Sequence, residues 1–201
     1  MILCIGREFG SGGHEIGKRI AQNLNLSFYD QELVEKAVEK HGLPEDIRHT
    51  DEKKTNPWLH RVWYESKDKN LRGLSTNEIL FRSQSDVITE LADKGDCIFV
   101  GRCADYVLDQ SGQRNYKIFI SAPLEDRIQR IMKLHDMDQK SALTLIQKTD
   151  AQRKQYYEHY TGRHWGKPAT YDFCINSSTL GIDQTANTLS FLLKTYYGHF
   201  S

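Results

Sequence analysis

The sequence predicts an α/β protein built on a parallel sheet that helices cover on both faces. Three observations predict it. Four short apolar runs, at residues 2–5, 97–100, 117–120 and 171–175, read as buried strands. Stretches with helical periodicity lie between them, and such alternation belongs to parallel sheets buried on both sides. A glycine-rich segment from Gly6 to Gly17 joins the first strand to the first helix.

The elements follow in order. Ile16, Ile20 and Leu24 share one face and predict a helix after the first strand. Ser27-Phe28-Tyr29 adds a fifth strand, and Asp30 beyond it can cap a helix over 31–40. Ser75-Thr76-Asn77-Glu78 is a capping box that opens a helix through Leu91. Pro123 suits the first turn of the helix after strand 117–120. Asp138 can cap a helix through Leu143 and Ile146. The last helix covers about 183–196, with Leu189, Leu192 and Leu193 facing inward.

Two regions interrupt the pattern. Residues 42–73 are polar, carry Pro44 and Pro57, and read as a mobile flap anchored by Trp58, Trp63 and Tyr64. Residues 148–170 are rich in Arg, Tyr and His and read as a lid. The 201 residues form one domain carrying these two appendages.

Composition excludes several classes. Lys+Arg and Asp+Glu both number 27, so net charge gives no attraction to nucleic acid or a membrane surface. Cys4, Cys97, Cys103 and Cys174 show no C-x-x-C spacing, and the eight histidines form no ligand pair at helical spacing, which argues against zinc. Three of the cysteines lie in strand-like runs and read as reduced core residues. With no basic leader or long apolar segment at the start, the expected compartment is the cytoplasm. The expected partner is a small molecule, and the aromatic residues of the flap leave a homodimer open.

The glycine segment carries the chemistry. In Arg7-Glu8-Phe9-Gly10-Ser11-Gly12-Gly13-His14-Glu15, glycines let main-chain N–H groups turn toward an anion, and the helix N-terminus adds positive potential. The pattern G-x-x-x-x-G-K-[ST] is incomplete, because Gly13 and His14 stand where Lys and Ser/Thr are expected. Arg7, at the front of the loop, is the candidate replacement cation. Imidazole is a poor partner for Mg²⁺, which prefers hard oxygen ligands.

Further cations follow. Arg127 and Arg130 are three apart on one helix, Asp150 and Arg153 repeat the spacing, and Arg163 lies in Gly162-Arg163-His164-Trp165-Gly166. Arginine forks bind phosphate bidentately and stay charged. Arg102 and Asp105 follow strand 97–100, and Asp30 ends strand 27–29. Ligands collect at such strand ends in open α/β sheets.

In this order the pieces resemble the cytidylate kinase-like family of P-loop proteins. The matching segments are residues 9–17, Phe28-Tyr29-Asp30, Val100-Gly101-Arg102-Cys103-Ala104-Asp105-Tyr106, Asp150-Ala151-Gln152-Arg153, Tyr156-Tyr157 and Trp165-Gly166, and Asn176 to Asp183 resembles the family's last strand-to-helix junction. The resemblance implies a three-layer nucleoside monophosphate kinase fold with a five-stranded parallel sheet and a helical lid. It implies transfer of the ATP γ-phosphoryl group, with Mg²⁺, to CMP or a similar acceptor. By position, Gly10 to His14, with Arg7 and Glu15, would hold the donor. Asp30, Arg102 and Asp105 would hold the acceptor, and Arg127, Arg130, Asp150, Arg153 and Arg163 would serve the transfer. Missing Lys and Ser/Thr keep a second reading in play: a non-catalytic nucleotide or anion sensor with the same fold.

Overall fold

The computed structural model describes residues 1–30, 32–41 and 76–198. The predicted flap at 42–73 and Ser75 of the capping box lie outside the described residues. Five strands form one all-parallel sheet in the order β2-β3-β1-β4-β5. They are β1 Ile2–Arg7, β2 Ser27–Tyr29, β3 Cys97–Val100, β4 Tyr116–Ser121 and β5 Phe173–Asn176.

Among the described residues seven α-helices surround it: α1 Gly13–Leu24, α2 Glu32–His41, α3 Thr76–Asp93, α4 Ala104–Gln110, α5 Leu124–His135, α6 Gln139–Thr161 and α7 Ser177–Gly198. Strand alternation divides the core. Leu3, Ile5, Ile98, Val100, Ile118 and Ile120 pack with α1 and α7 on one face. Cys4, Cys97 and Phe99 pack with α2, α3 and α4 on the other. Each strand therefore buries both sides, as a parallel sheet requires.

Several expectations shift. Strand β5 starts two residues later than expected, because a 3-10 turn at Pro168–Thr170 leads into it and Tyr171 turns toward Gly166. It is an edge strand, so Cys174 is exposed and does not belong to the core. Pro123 occupies the residue before α5 and not its first turn. Leu189 and Leu193 are buried on α7, but Leu192 is 40% exposed and points to solvent. Gly181 (φ 73°, ψ 171°) breaks α7 near its start, so the long helical rod begins close to the expected position.

Asp138 caps α6 as expected, accepting the Ser141 N–H at 3.0 Å. The helix then continues to Thr161 with Gly162 as its left-handed cap. The expected lid segment thus begins in the middle of a continuous helix. Its polar residues are helical because Asp150 and Arg153 face the glycine loop, not water.

Candidate functional site

Strand β1 ends at Arg7, and α1 begins at Gly13, leaving Glu8 to Gly12 as the turn between them. Gly10 and Gly12 adopt φ of 84° and 79°, in the left-handed region that only glycine enters without strain. Ser11 is buried, and both its N–H (3.3 Å) and its hydroxyl (2.9 Å) donate to the Glu8 carbonyl. Ser177 Oγ donates to the Ser11 carbonyl at 2.6 Å, tying α7 to the turn.

Phe9 is held at both backbone groups. Its N–H donates to Asp150 Oδ1 at 2.7 Å, and its carbonyl accepts from Arg127 Nη1 at 3.3 Å. Arg127 and Asp150 pair with each other at 2.5 Å, and Arg127 Nε reaches the Ala122 carbonyl at 3.1 Å. The Glu8 carboxylate accepts the Ala122 N–H at 3.0 Å. The turn is therefore shaped by α5 and α6 before any ligand arrives. The first-turn N–H groups of α1 have no carbonyl within the helix, which makes an anion cradle. Arg127 and Asp150 sit beneath that cradle and fix its shape.

Position 13 is sterically closed. A Cβ there would meet Arg7 Cβ at 2.5 Å and Arg7 Cγ at 3.0 Å. The Arg7 guanidinium then lies against Gly101, where a Cβ would also collide with it. Arg7 thus occupies a channel bounded by two glycines and points to Asp30, 3.6 Å away. Arg130 also lies beside the loop, its Cζ 3.7 Å from the position of a Cβ on Gly12. Glu15 holds it at 2.5 Å.

Asp30 gathers positive partners at the end of β2. It is buried, accepts from His14 Nδ1 at 2.6 Å, and faces Arg7. Burial opposes its charge, but the His14 hydrogen bond and the nearby Arg7 and Arg102 outweigh that, so its carboxyl lies below its ordinary range. The His14 ring meets Phe28 edge-to-face at 5.3 Å. Gly101, Arg102 and Cys103 all take positive φ (76°, 58° and 55°), a left-handed turn directly beyond β3. Left-handed geometry costs non-glycine residues about 1–2 kcal/mol each, and here it turns Arg102 into the same cleft.

The remaining predicted residues divide. Arg153 donates from Nη1 to the Arg7 carbonyl at 3.1 Å and lies 5.4 Å over the Phe9 ring. Arg163 is not brought to the loop: it binds Asp109 at 2.8 Å and covers Tyr106. Asp105 is buried beside Tyr157, whose hydroxyl donates to it at 2.6 Å. Burial pushes the Asp105 carboxyl above its ordinary range despite that bond.

Two cavities meet at the glycine turn. One, of about 430 Å³, lies between Ser11, Arg130 and the Ser177 to Asp183 junction. The other, of about 470 Å³, is bordered by His14, Asp30, Arg102, Arg130 and Arg153, with Phe9 and Leu134 supplying an apolar end. Arg130 borders both. Both volumes suit small ligands. Ser177 and Phe9 were not among the sequence candidates. The serine at the last strand-to-helix junction was the available signal for Ser177.

The turn fits a nucleotide polyphosphate by its amides and adjoining cavity. A protein-built magnesium site does not follow. Among the described residues no three His, Cys, Asp or Glu side chains stand together to hold a metal. The Ser11 hydroxyl is engaged with Glu8, and Glu15 is engaged with Arg130. Among the described residues no helix is long and apolar enough to cross a membrane.

Known proteins share this fold. The sequence model of the cytidylate kinase-like family matches residues 2–179. A cytidylate kinase from Methanocaldococcus jannaschii is 25% identical over 191 residues, covering 94% of this chain and 96% of its own. One from Methanopyrus kandleri is 25% identical over 199 residues, covering 94% and 91%. Among solved structures, an uncharacterized protein from Eubacterium ventriosum superposes with a TM-score of 0.71 at 26% identity, covering 96% of this chain and 98% of its own. A shikimate kinase from Bacteroides thetaiotaomicron gives 0.56 at 13% identity with the same coverages, a likeness of fold. The chain belongs to the cytidylate kinase-like family and has the P-loop kinase fold.

Proposed function

We propose that this member of the cytidylate kinase-like family transfers the γ-phosphoryl group of ATP, presented with Mg²⁺, to a nucleoside monophosphate such as CMP or a similar small acceptor. One observation carries the reading: two ligand-sized cavities border a preshaped glycine turn, and Gly10, Glu15 and Arg130 line both. Two substrates that exchange a phosphoryl group must meet across such a turn. Phosphoryl transfer needs positioning and charge neutralisation more than covalent chemistry.

The residues divide by side. Gly12 to Glu15 offer main-chain N–H groups to the donor phosphates, with Arg130 as the adjacent cation. The cavity toward Ser177 and Asp183 takes the rest of the donor. Asp30 and Arg102 face the acceptor, and Arg153 stands between loop and acceptor. Arg127 and Asp150 position the turn. Magnesium would arrive on the nucleotide, and no protein step is assigned to it.

A second reading is an ATP or anion sensor without turnover, favoured by the absent lysine at position 13. Calorimetry with ATP, followed by a coupled assay across a panel of nucleoside monophosphates, separates the two. ATP binding with turnover of a panel member supports transfer. ATP binding with silence across a wide panel of small acceptors supports the sensor.

A further inference from the structure

His14 stands where a hydroxyl residue ends the usual phosphate loop, and the structure gives it a specific partner. Its Nδ1 lies 2.6 Å from Asp30 Oδ2. Asp30 is buried and is itself held by Arg7, while the His14 side chain is 53% exposed and borders the acceptor-side cleft. A carboxylate that fixes one ring nitrogen sets the tautomer and leaves the other nitrogen as an acceptor. Phe28 fixes the ring plane from behind. His14 is two residues from Gly12, within the first turn of the helix that would receive the donor phosphates.

We propose that His14, oriented by Asp30, is a general base, and that the acceptor presents a hydroxyl group to the donor. The proposal rests on the phosphotransferase reading and narrows its acceptor class. A monophosphate oxygen is already anionic at neutral pH and needs no base, whereas an alcohol must lose its proton as it attacks. In the step, the acceptor oxygen forms a bond to the γ-phosphorus. The bond from that phosphorus to the β,γ-bridging oxygen breaks, and its electron pair leaves on ADP. The hydroxyl proton moves to His14 Nε2. The charged cleft then suits a small hydroxylated anion, because Arg102 and Arg153 line it.

Other charges surround the ring. Arg7 comes from β1, Asp30 from the end of β2 and Arg102 from the turn after β3. Glu15 is on its own helix, Arg130 and His135 come from α5, and Arg153 from α6.

The test uses the full chain, with water as the simplest hydroxyl acceptor. ADP release from ATP and Mg²⁺ is followed from pH 5 to 9, where imidazoles titrate. His14→Asn should slow hydrolysis about 100-fold, the lower end of general-base effects, while calorimetry finds ATP affinity within about threefold. His135→Gln, which alters the other histidine of the cleft, should not reproduce that loss. Nitrogen NMR of the histidine rings gives a readout independent of turnover: His14 should carry its proton on Nδ1, and Asp30→Asn should abolish that preference. An Nε2-protonated His14 in the wild type, or equal hydrolysis by His14→Asn, overturns the proposal. So does equal phosphorylation of CMP by wild type and variant, an outcome that leaves the kinase reading intact. Failure of the wild type to bind ATP sinks the kinase reading and this proposal with it.

Discussion

Restoring the lysine that the phosphate loop lacks should damage the protein. In Gly13→Lys the new Cβ would stand 2.5 Å from Arg7 Cβ and 3.4 Å from Ile120 Cβ. Neither neighbour is the free end of a long side chain, so backbone must shift. Overpacking of this kind costs about 1–3 kcal/mol. Replacing a helical glycine returns up to about 1 kcal/mol. A cation at the helix N-terminus loses about 0.3–1 kcal/mol of that again. The net loss is about 0.3–3 kcal/mol, and a domain of this size loses roughly 2–4 °C of Tm per kcal/mol. Urea and thermal unfolding of wild type and variant measure it, and ATP titration runs in parallel. Arg7→Gly should relieve the clash, so the double variant should lose less than the sum of the singles. A stable Gly13→Lys protein that binds ATP more tightly than wild type would show that position 13 is open and refute the steric argument.

Four further outcomes follow from the same geometry. Arg127→Ala leaves the partly buried Asp150 without its cation and should destabilise the chain by up to about 3 kcal/mol, read by urea denaturation, and weaken ATP binding because Phe9 is released. Arg130→Ala removes a charge-assisted contact and should weaken ATP binding by about 1.5–3 kcal/mol by calorimetry, with little change in Tm because the side chain is partly exposed. Tyr157→Phe deprives buried Asp105 of its donor, costing about 1.5–3 kcal/mol near neutral pH. Burial already raises the Asp105 carboxyl, and the variant raises it further; stability is greatest where the group is protonated and is lost as pH rises through its folded value, so the deficit against wild type should be larger at pH 8 than at pH 5. Asp30 has the opposite sign: its carboxyl lies below the ordinary range, so its contribution is present above about pH 4 and is lost as the solution is acidified through the lower folded value, a loss that Asp30→Asn should remove from acid-unfolding curves.

Much of the fold was legible because its signals are local. Apolar runs marked every strand within a few residues, and Asp138 announced a helix start that the Ser141 N–H completes. The polar half of α6 was not legible as helix. Its inward face carries Asp150 and Arg153, whose partners are Phe9 and Arg7, more than 140 residues away in sequence. Periodicity registers apolar burial and is blind to a helix that packs through ion pairs and main-chain groups. Cys174 and Leu192 were misjudged for the complementary reason: an apolar residue on an edge strand or an outer helix face has the same letter as one in the core.

The site was legible by residue type and opaque by pairing. Glycines, arginines and strand-end acids were all visible, but the sequence treats Gly13, Arg7 and Gly101 as three separate positions. In space they are one device. Arg7 leaves β1, passes Gly13 where a lysine would begin, and ends against Gly101 and beside Asp30. Two absent side chains make room for one long cation, and that cation helps hold the carboxylate that orients His14. The missing lysine is therefore not an isolated loss. A lysine at 13 would require Arg7 to leave, and Asp30 would then keep its charge against burial with one fewer partner. The altered loop is better understood as a coupled arrangement, in which the helix start carries no lysine and the neighbouring positive charge comes from Arg7, held toward Asp30, and from Arg130, paired with Glu15.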